Sequence, residues 1–254
     1  MNIMNSPLLV FALSFLLLWL ACRIGAMFRK GHALLNEDER EDFSVILTAT
    51  LTLLGLIIGF TFSMAITRYD QRKNYEEEEA NAIGTEYLRV NLLPTADAEK
   101  AHALLRSYLD QRIAFYQTRD PRELQVVNAT TAKLQEDLWN TVQAPAGANP
   151  TPVVALAVSG MNDVLNTQGY TQAAWWNRIP IAAWGLMVAI ALCCTVLIGY
   201  SARRAEPRAI RFLILPLVVA ISFLLIADID SPRGGIIRVR PQNLSSLAES
   251  LHGK

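Results

Sequence analysis

The sequence predicts an all-α membrane protein: four transmembrane helices, with a helical extramembrane domain inserted between the second and third spans. Three observations predict it. Four apolar runs, at about 7–27, 43–66, 179–200 and 210–227, each have the length an α-helix needs to cross a hydrocarbon core of about 30 Å. The charged residues cluster between these runs, whereas a large soluble core would need several helices that are apolar on every face. The polar stretch between the second and third runs carries helical periodicity and no sustained strand alternation. The expected divisions are a transmembrane hairpin at 1–67, the helical domain at 68–178, a second hairpin at 179–230 and a C-terminal tail at 231–254.

The first run is read as a retained helix. Met1 to Ser6 holds no Lys or Arg, so the basic region of a cleaved signal is missing. Ala21-Cys22 has a faint look of a lipoprotein cleavage site, but Trp19 stands where a small aliphatic residue is expected. Arg23, Arg29 and Lys30 mark the end of the span. The second run reads Thr48-Ala-Thr-Leu-Thr-Leu-Leu-Gly-Leu-Ile-Ile-Gly-Phe-Thr-Phe-Ser-Met-Ala-Ile-Thr67. Gly55, Gly59 and Ser63 lie four apart on one face, a stripe that lets helix backbones approach closely. It fits packing within the chain, and it also fits a pore-lining or subunit-contact helix. Thr48, Thr52, Thr61, Ser63 and Thr67 add hydroxyls, and Phe62 and Ile66, one turn apart, are candidates for a constriction.

The helical domain begins as an outward continuation of the second span, with Ala80, Ile83, Tyr87 and Leu88 at helical spacing. Its first residues are Arg68-Tyr69-Asp70-Gln71-Arg72-Lys73-Asn74-Tyr75, followed by Glu76, Glu77, Glu78 and Glu79. Arg72–Glu76 and Lys73–Glu77 have pairing distance along a helix, while Glu78 and Glu79 have no such partner. The acids suit a solvated helix face; repeated around an axis they would form a vestibule that concentrates cations. Ala101, Leu104, Leu105, Tyr108, Leu109 and Arg112 form the next stripe, extended by Phe115 and Tyr116. Asp120-Pro121 starts another helix, with Leu124, Val127, Thr131, Leu134 and Leu138 on one side. Residues 144–152, with three prolines and a glycine, read as a loop. Val154, Ala157, Val158, Met161, Val164 and Leu165 then mark a further helix. Trp175 and Trp176 suit the membrane interface.

The fourth span ends in Ala227-Asp-Ile-Asp-Ser-Pro-Arg-Gly-Gly235. Carboxylates at a helix C-terminus oppose the macrodipole, so Asp228 and Asp230 need an offset. Arg233, Arg68 or a cation could supply it. Arg68, Asp70, Arg72, Asp228, Asp230 and Arg233 are therefore expected as a charge cluster at one membrane boundary, and Asp228 with Asp230 as a candidate calcium pair.

Lys and Arg together number 23, as do Asp and Glu, so net charge gives no reason to expect nucleic acid as a partner. Cys22, Cys193 and Cys194 all lie in apolar runs and staple nothing in the polar domain. His32, His102 and His252 are too scattered for a metal triad. No Walker loop, Gly-x-Ser-x-Gly, His-Glu-x-x-His or Cys-x-x-Cys occurs, so nothing points to an enzyme or a cofactor. Four spans place both termini and the helical domain on one side. Read strictly, Arg29, Lys30, Arg40, Arg203, Arg204 and Arg208 put the two short loops in the cytoplasm and the domain outside.

Three segments carry a resemblance: Gly59-Phe-Thr-Phe-Ser-Met-Ala-Ile-Thr-Arg-Tyr-Asp-Gln-Arg72, Glu79-Ala-Asn-Ala-Ile-Gly-Thr-Glu-Tyr-Leu-Arg89 and Asp228-Ile-Asp-Ser-Pro-Arg-Gly-Gly-Ile-Ile-Arg-Val239. Over nearly its whole length the chain resembles the bacterial bestrophin-like domain proteins, a family without an assigned activity. Through the family's name the resemblance points to bestrophins, pentameric chloride channels with a cytosolic helical domain. It implies a homo-oligomer in a lipid bilayer, a bacterial inner membrane, that passes inorganic ions, and a pore neck at Phe62 and Ile66. It also implies anion conduction, with Arg68, Arg72 or Lys73 controlling the narrowest hydrated part, and a cytosolic helical domain, contrary to the strict charge reading. A calcium clasp would fall at Asp228 and Asp230, where the chain lacks a run of consecutive acids. Cation conduction and a non-conducting scaffold or sensor are the alternatives.

Overall fold

The computed structural model describes residues 6–30, 37–201 and 211–252. Arg203, Arg204, Arg208 and His32, which entered the expectations above, lie outside them. Among the described residues the secondary structure is helical: α1 (Pro7–Lys30), α2 (Glu37–Arg89), a 3-10 turn (Val90–Leu92), α3 (Thr95–Gln117), α4 (Pro121–Ala148), α5 (Pro152–Trp176), α6 (Ile181–Ser201), α7 (Arg211–Asp230) and α8 (Gln242–His252). Four candidate membrane spans are present, at Pro7–Phe28, within Glu41–Leu92, within Pro152–Ser201 and at Phe212–Asp230. The helix α2 is unbroken for 53 residues, about 80 Å at 1.5 Å per residue. Its apolar stretch, 43–66, is long enough to cross a membrane.

Two compact units divide the chain, one built from Met1–Arg68 and Arg178–Arg238, the other from Tyr69–Asn177 and Val239–Lys254. The membrane unit packs α1 against α6 and α7. Its core holds Leu18, Cys22, Met187, Ala191, Cys194, Ala220, Phe223 and Ile226. The backbones of α1 and α6 approach closely at two glycines. A methyl added at Gly25 would collide with the Val196 carbonyl, and one at Gly199 with the Cys22 carbonyl. Two glycines thus let the backbones touch, which is how helices gain packing energy where lipid removes any hydrophobic drive. The hydroxyls of α2 serve its own backbone: Thr48 donates to the Ser44 carbonyl at 2.8 Å, Thr52 to Thr48 at 2.9 Å, Thr61 to Ile57 at 2.8 Å and Thr67 to Ser63 at 3.0 Å. That satisfies them in an apolar span.

The helical unit assembles the second part of α2 with α3, α4, α5 and α8. The stripes expected on α3, α4 and α5 supply its core, with Leu105, Tyr108, Leu109, Arg112, Phe115, Leu138, Ala157, Met161 and Val164 buried. Asp120 caps α4, accepting the Arg122 N–H at 2.9 Å, ahead of Pro121 in the first turn. Four expectations change. The loop at 144–152 shrinks to Asn149–Thr151, because α4 runs on through buried Pro145 to Ala148. Ala144, Ala146 and Ala148 favour the helix, and the Asn149 N–H still reaches the Pro145 carbonyl at 2.9 Å. Leu88 points outward, 67% exposed. Trp175 is buried in an aromatic cluster, 4.9 Å from Phe115 and 5.4 Å from Tyr116 between ring centres, so only Trp176 stays open to an interface. Part of the segment expected as a tail is α8, which lays Leu244, Leu247 and Leu251 on the core.

Candidate functional site

The two faces of α2 differ in kind. The buried face holds Leu54, Thr61 and Ala65 in the membrane unit, then Arg72, Glu76, Glu79, Ile83 and Glu86 in the helical unit. The exposed face holds Thr52, Gly55, Leu56, Gly59, Phe60, Ser63 and Ile66, then Asp70, Lys73 and Glu77. Phe62 is half-buried between them. Nothing lies within 4 Å of the place a methyl would take at Gly55 or Gly59. The small-residue stripe therefore has no partner among the described residues, unlike Gly25 and Gly199.

Two of the four consecutive acids are spent inside the helical unit. Glu76 caps α8: its Oε1 accepts the Asn243 N–H at 2.9 Å and the Leu244 N–H at 3.0 Å, and its Oε2 accepts the Asn243 side-chain amide at 2.7 Å. A carboxylate at a helix N-terminus meets free N–H groups and the positive end of the dipole. Glu79 accepts from Arg112 Nε at 2.8 Å and from the Tyr116 hydroxyl at 3.0 Å. Arg112 lies over the Phe115 ring, 4.4 Å from its centre. Burial pushes the Glu79 carboxyl above its ordinary value against the pull of Arg112, and the same carboxylate holds the buried Arg112 guanidinium above its own. Arg72 does not pair with Glu76. It donates to the carbonyls of Ala174 and Asn177, both at 3.2 Å, and so caps the C-terminus of α5. Glu77 and Glu78 are exposed.

At the end of α7 the two aspartates have separate tasks. Asp228 accepts the N–H groups of Ile236 and Ile237, both at 2.8 Å, and closes the Ser-Pro-Arg-Gly-Gly turn on itself. Gly235 is required there, since a methyl would collide with the Asp228 carbonyl. Asp230 accepts the Ile179 N–H at 3.1 Å and draws in two arginines, Arg178 Nε at 3.6 Å and Arg68 NH1 at 3.9 Å. Arg178 also donates to the Asp230 carbonyl at 3.3 Å. The boundary charge group therefore includes Arg178, which precedes the third span outside any motif. Asp228 meets backbone rather than arginine, Arg233 is half-buried, and Asp70 belongs to the other unit. Both carboxylates face N–H donors, the reverse of what a hard cation needs, so the pair does not fit calcium in this arrangement.

The model of the bestrophin-like domain matches residues 10–244. No curated protein matches the chain. Three crystal structures of a bacterial bestrophin homolog from Klebsiella pneumoniae share the fold. Two are single-substitution variants: one has a TM-score of 0.64 at 13% identity, covering 95% of this chain and 97% of that one. The other has a TM-score of 0.64 at 14% identity, covering 97% and 98%. The third, solved by zinc phasing, gives 0.61 at 14%, covering 96% and 95%. With four helices able to cross a membrane, a helical fold shared with these structures and a family match over nearly its whole length, the chain is a multi-pass membrane protein that belongs to the bestrophin-like domain family.

Proposed function

We propose that the chain is one subunit of a homo-oligomeric ion channel in a bacterial inner membrane, with the exposed face of α2 turned to a shared axis. The observation that carries this is the contrast within α2. Leu54, Thr61 and Ala65 are buried, while Gly55, Gly59, Ser63 and Ile66 are left bare on the side where a second helix could approach. Five copies around the axis, as the family name suggests, would line the path with these residues and set Ile66 and the half-buried Phe62 at its neck. No step requires calcium or another cofactor.

On selectivity the charges support cations. The anion reading depended on Arg68, Arg72 and Lys73. Arg72 is buried against α5 carbonyls and Arg68 leans on Asp230, which leaves Lys73 against exposed Asp70, Glu77 and Glu78. An acidic surplus on the outward part of α2 raises local cation concentration. Reversal potentials in asymmetric potassium chloride test this: a value near the potassium equilibrium potential supports it, and one near the chloride value restores the anion reading. A ring-shaped oligomer that passes no current would favour the scaffold.

A further inference from the structure

Glu86 sits on the buried face of α2 in the helical unit and is fully shielded from solvent. Neither of its carboxyl oxygens meets a hydrogen-bond donor. Glu76 and Glu79, on the same face, have theirs filled. The carboxyl rests instead on α5 at Gly160, where an added methyl would collide with Glu86 Oε2 and crowd the Arg89 side chain. Glycine at 160 makes the notch that admits it. The surrounding charges compensate it only in part. Arg89, on the same helix, leans to Asp163 of α5 at 3.9 Å, and that carboxylate repels a charge on Glu86. On α3, His102 and Arg106 are engaged by Tyr87, His102 with its carbonyl at 2.9 Å and Arg106 with its hydroxyl at 2.7 Å. An ionised carboxylate without donors is strongly disfavoured in such a place, and the neutral acid far less so.

We propose that Glu86 is a proton-operated joint between α2 and α5: as the neutral acid it fills the notch over Gly160, and on losing its proton it leaves the notch for water and loosens the contact. Burial, opposed by Arg89 and reinforced by Asp163, pushes its pKa from 4.5 to about 8. The closed contact binds the proton more tightly than the opened one. Its stability is therefore complete below the ordinary carboxyl value, weakens about tenfold in equilibrium constant per pH unit between that value and about 8, and is level above it.

The test is amide hydrogen exchange on the full chain in detergent, from about pH 5 to pH 9, corrected for the intrinsic pH dependence of exchange. Segments 79–92 and 152–168 should lose protection with rising pH up to about pH 8. In Glu86→Gln, which copies the shape of the neutral acid, that dependence should vanish. Infrared spectra should show a protonated carboxyl band that titrates near pH 8 and is missing in the variant. Identical exchange profiles for the two proteins overturn the proposal. If the variant does not fold, the infrared titration of the wild type decides, and the absence of any carboxyl band above about pH 6 overturns it. Neither readout depends on ion conduction, so its failure is separable from failure of the channel reading.

Discussion

Glu79 and Arg112 are 33 residues apart in sequence and joined at 2.8 Å with neither side chain open to water. A buried pair owes its standing to both members: removing one strands the other, at a cost of about 3–5 kcal/mol, while removing both can be close to neutral. Arg112→Met alone is therefore expected to lower the thermal unfolding midpoint of the detergent-solubilised protein sharply. Glu79→Gln together with Arg112→Met should recover much of the loss. Equal losses in single and double variants would show that the pair is not coupled. Glu76 makes a separate prediction. Hydrogen bonds to a charged group contribute about 1.5–3 kcal/mol each, so Glu76→Ala should release α8 and raise amide exchange across 242–252, leaving α3 and α4 protected. The acids at 76–79 read naturally as one solvated run. Only the positions of α3, α5 and α8 separate them, and those contacts lie too far along the chain for spacing to show.

The helices themselves were legible, because their apolar faces recur at helical spacing and the four long apolar runs have membrane length. Asp120-Pro121 marked the start of α4 by cap and first-turn chemistry. The end of α4 was not legible, since Pro145 is a breaker in isolation but is absorbed where alanines and a buried site hold the turn. The signal for α8 lies in Leu244, Leu247 and Leu251, which follow Pro241 at helical spacing. Small residues misled differently. Gly55 and Gly59 form the conspicuous stripe, yet the close crossing inside the chain uses Gly25 and Gly199, single glycines whose meeting depends on tertiary register. This separates two variants. Gly199→Leu should prevent α1 from packing on α6 and cost the protein its cooperative melt, since both neighbours of the new side chain are backbone. Gly59→Leu should leave the melt of a single chain nearly unchanged, and act on assembly or conduction. A collapse of the fold in Gly59→Leu would place that glycine in the chain's own packing.

At the scale of the whole molecule the membrane-facing surfaces are not alike. The exposed positions of α1 are large and aliphatic, Leu13, Leu16, Leu17 and Leu20, and those of α7 are Ile214, Leu217, Val218, Ile221 and Leu225. Such side chains are indistinguishable from lipid tails and give helices no reason to associate. The exposed face of α2 carries Gly55, Gly59 and Ser63, which lipid fills poorly and another helix backbone fills well. If the chain assembles through α2, a cysteine there will meet its copy. With Cys22, Cys193 and Cys194 replaced by Ala, Ser63→Cys should form covalent pairs in native membranes with a short bifunctional thiol reagent, and Leu217→Cys should not. The comparison is internal, because both positions are exposed in the single chain and both lie in spans. Pairing at 217 without pairing at 63 would turn the molecule around, with α7 at the subunit contact and α2 toward lipid, and the channel reading would lose the face it rests on. Pairing at 63 alone, followed by native mass measurement of the intact assembly, would fix the number of α2 helices around the axis and hence how many copies of Asp70, Glu77 and Glu78 confront an entering ion.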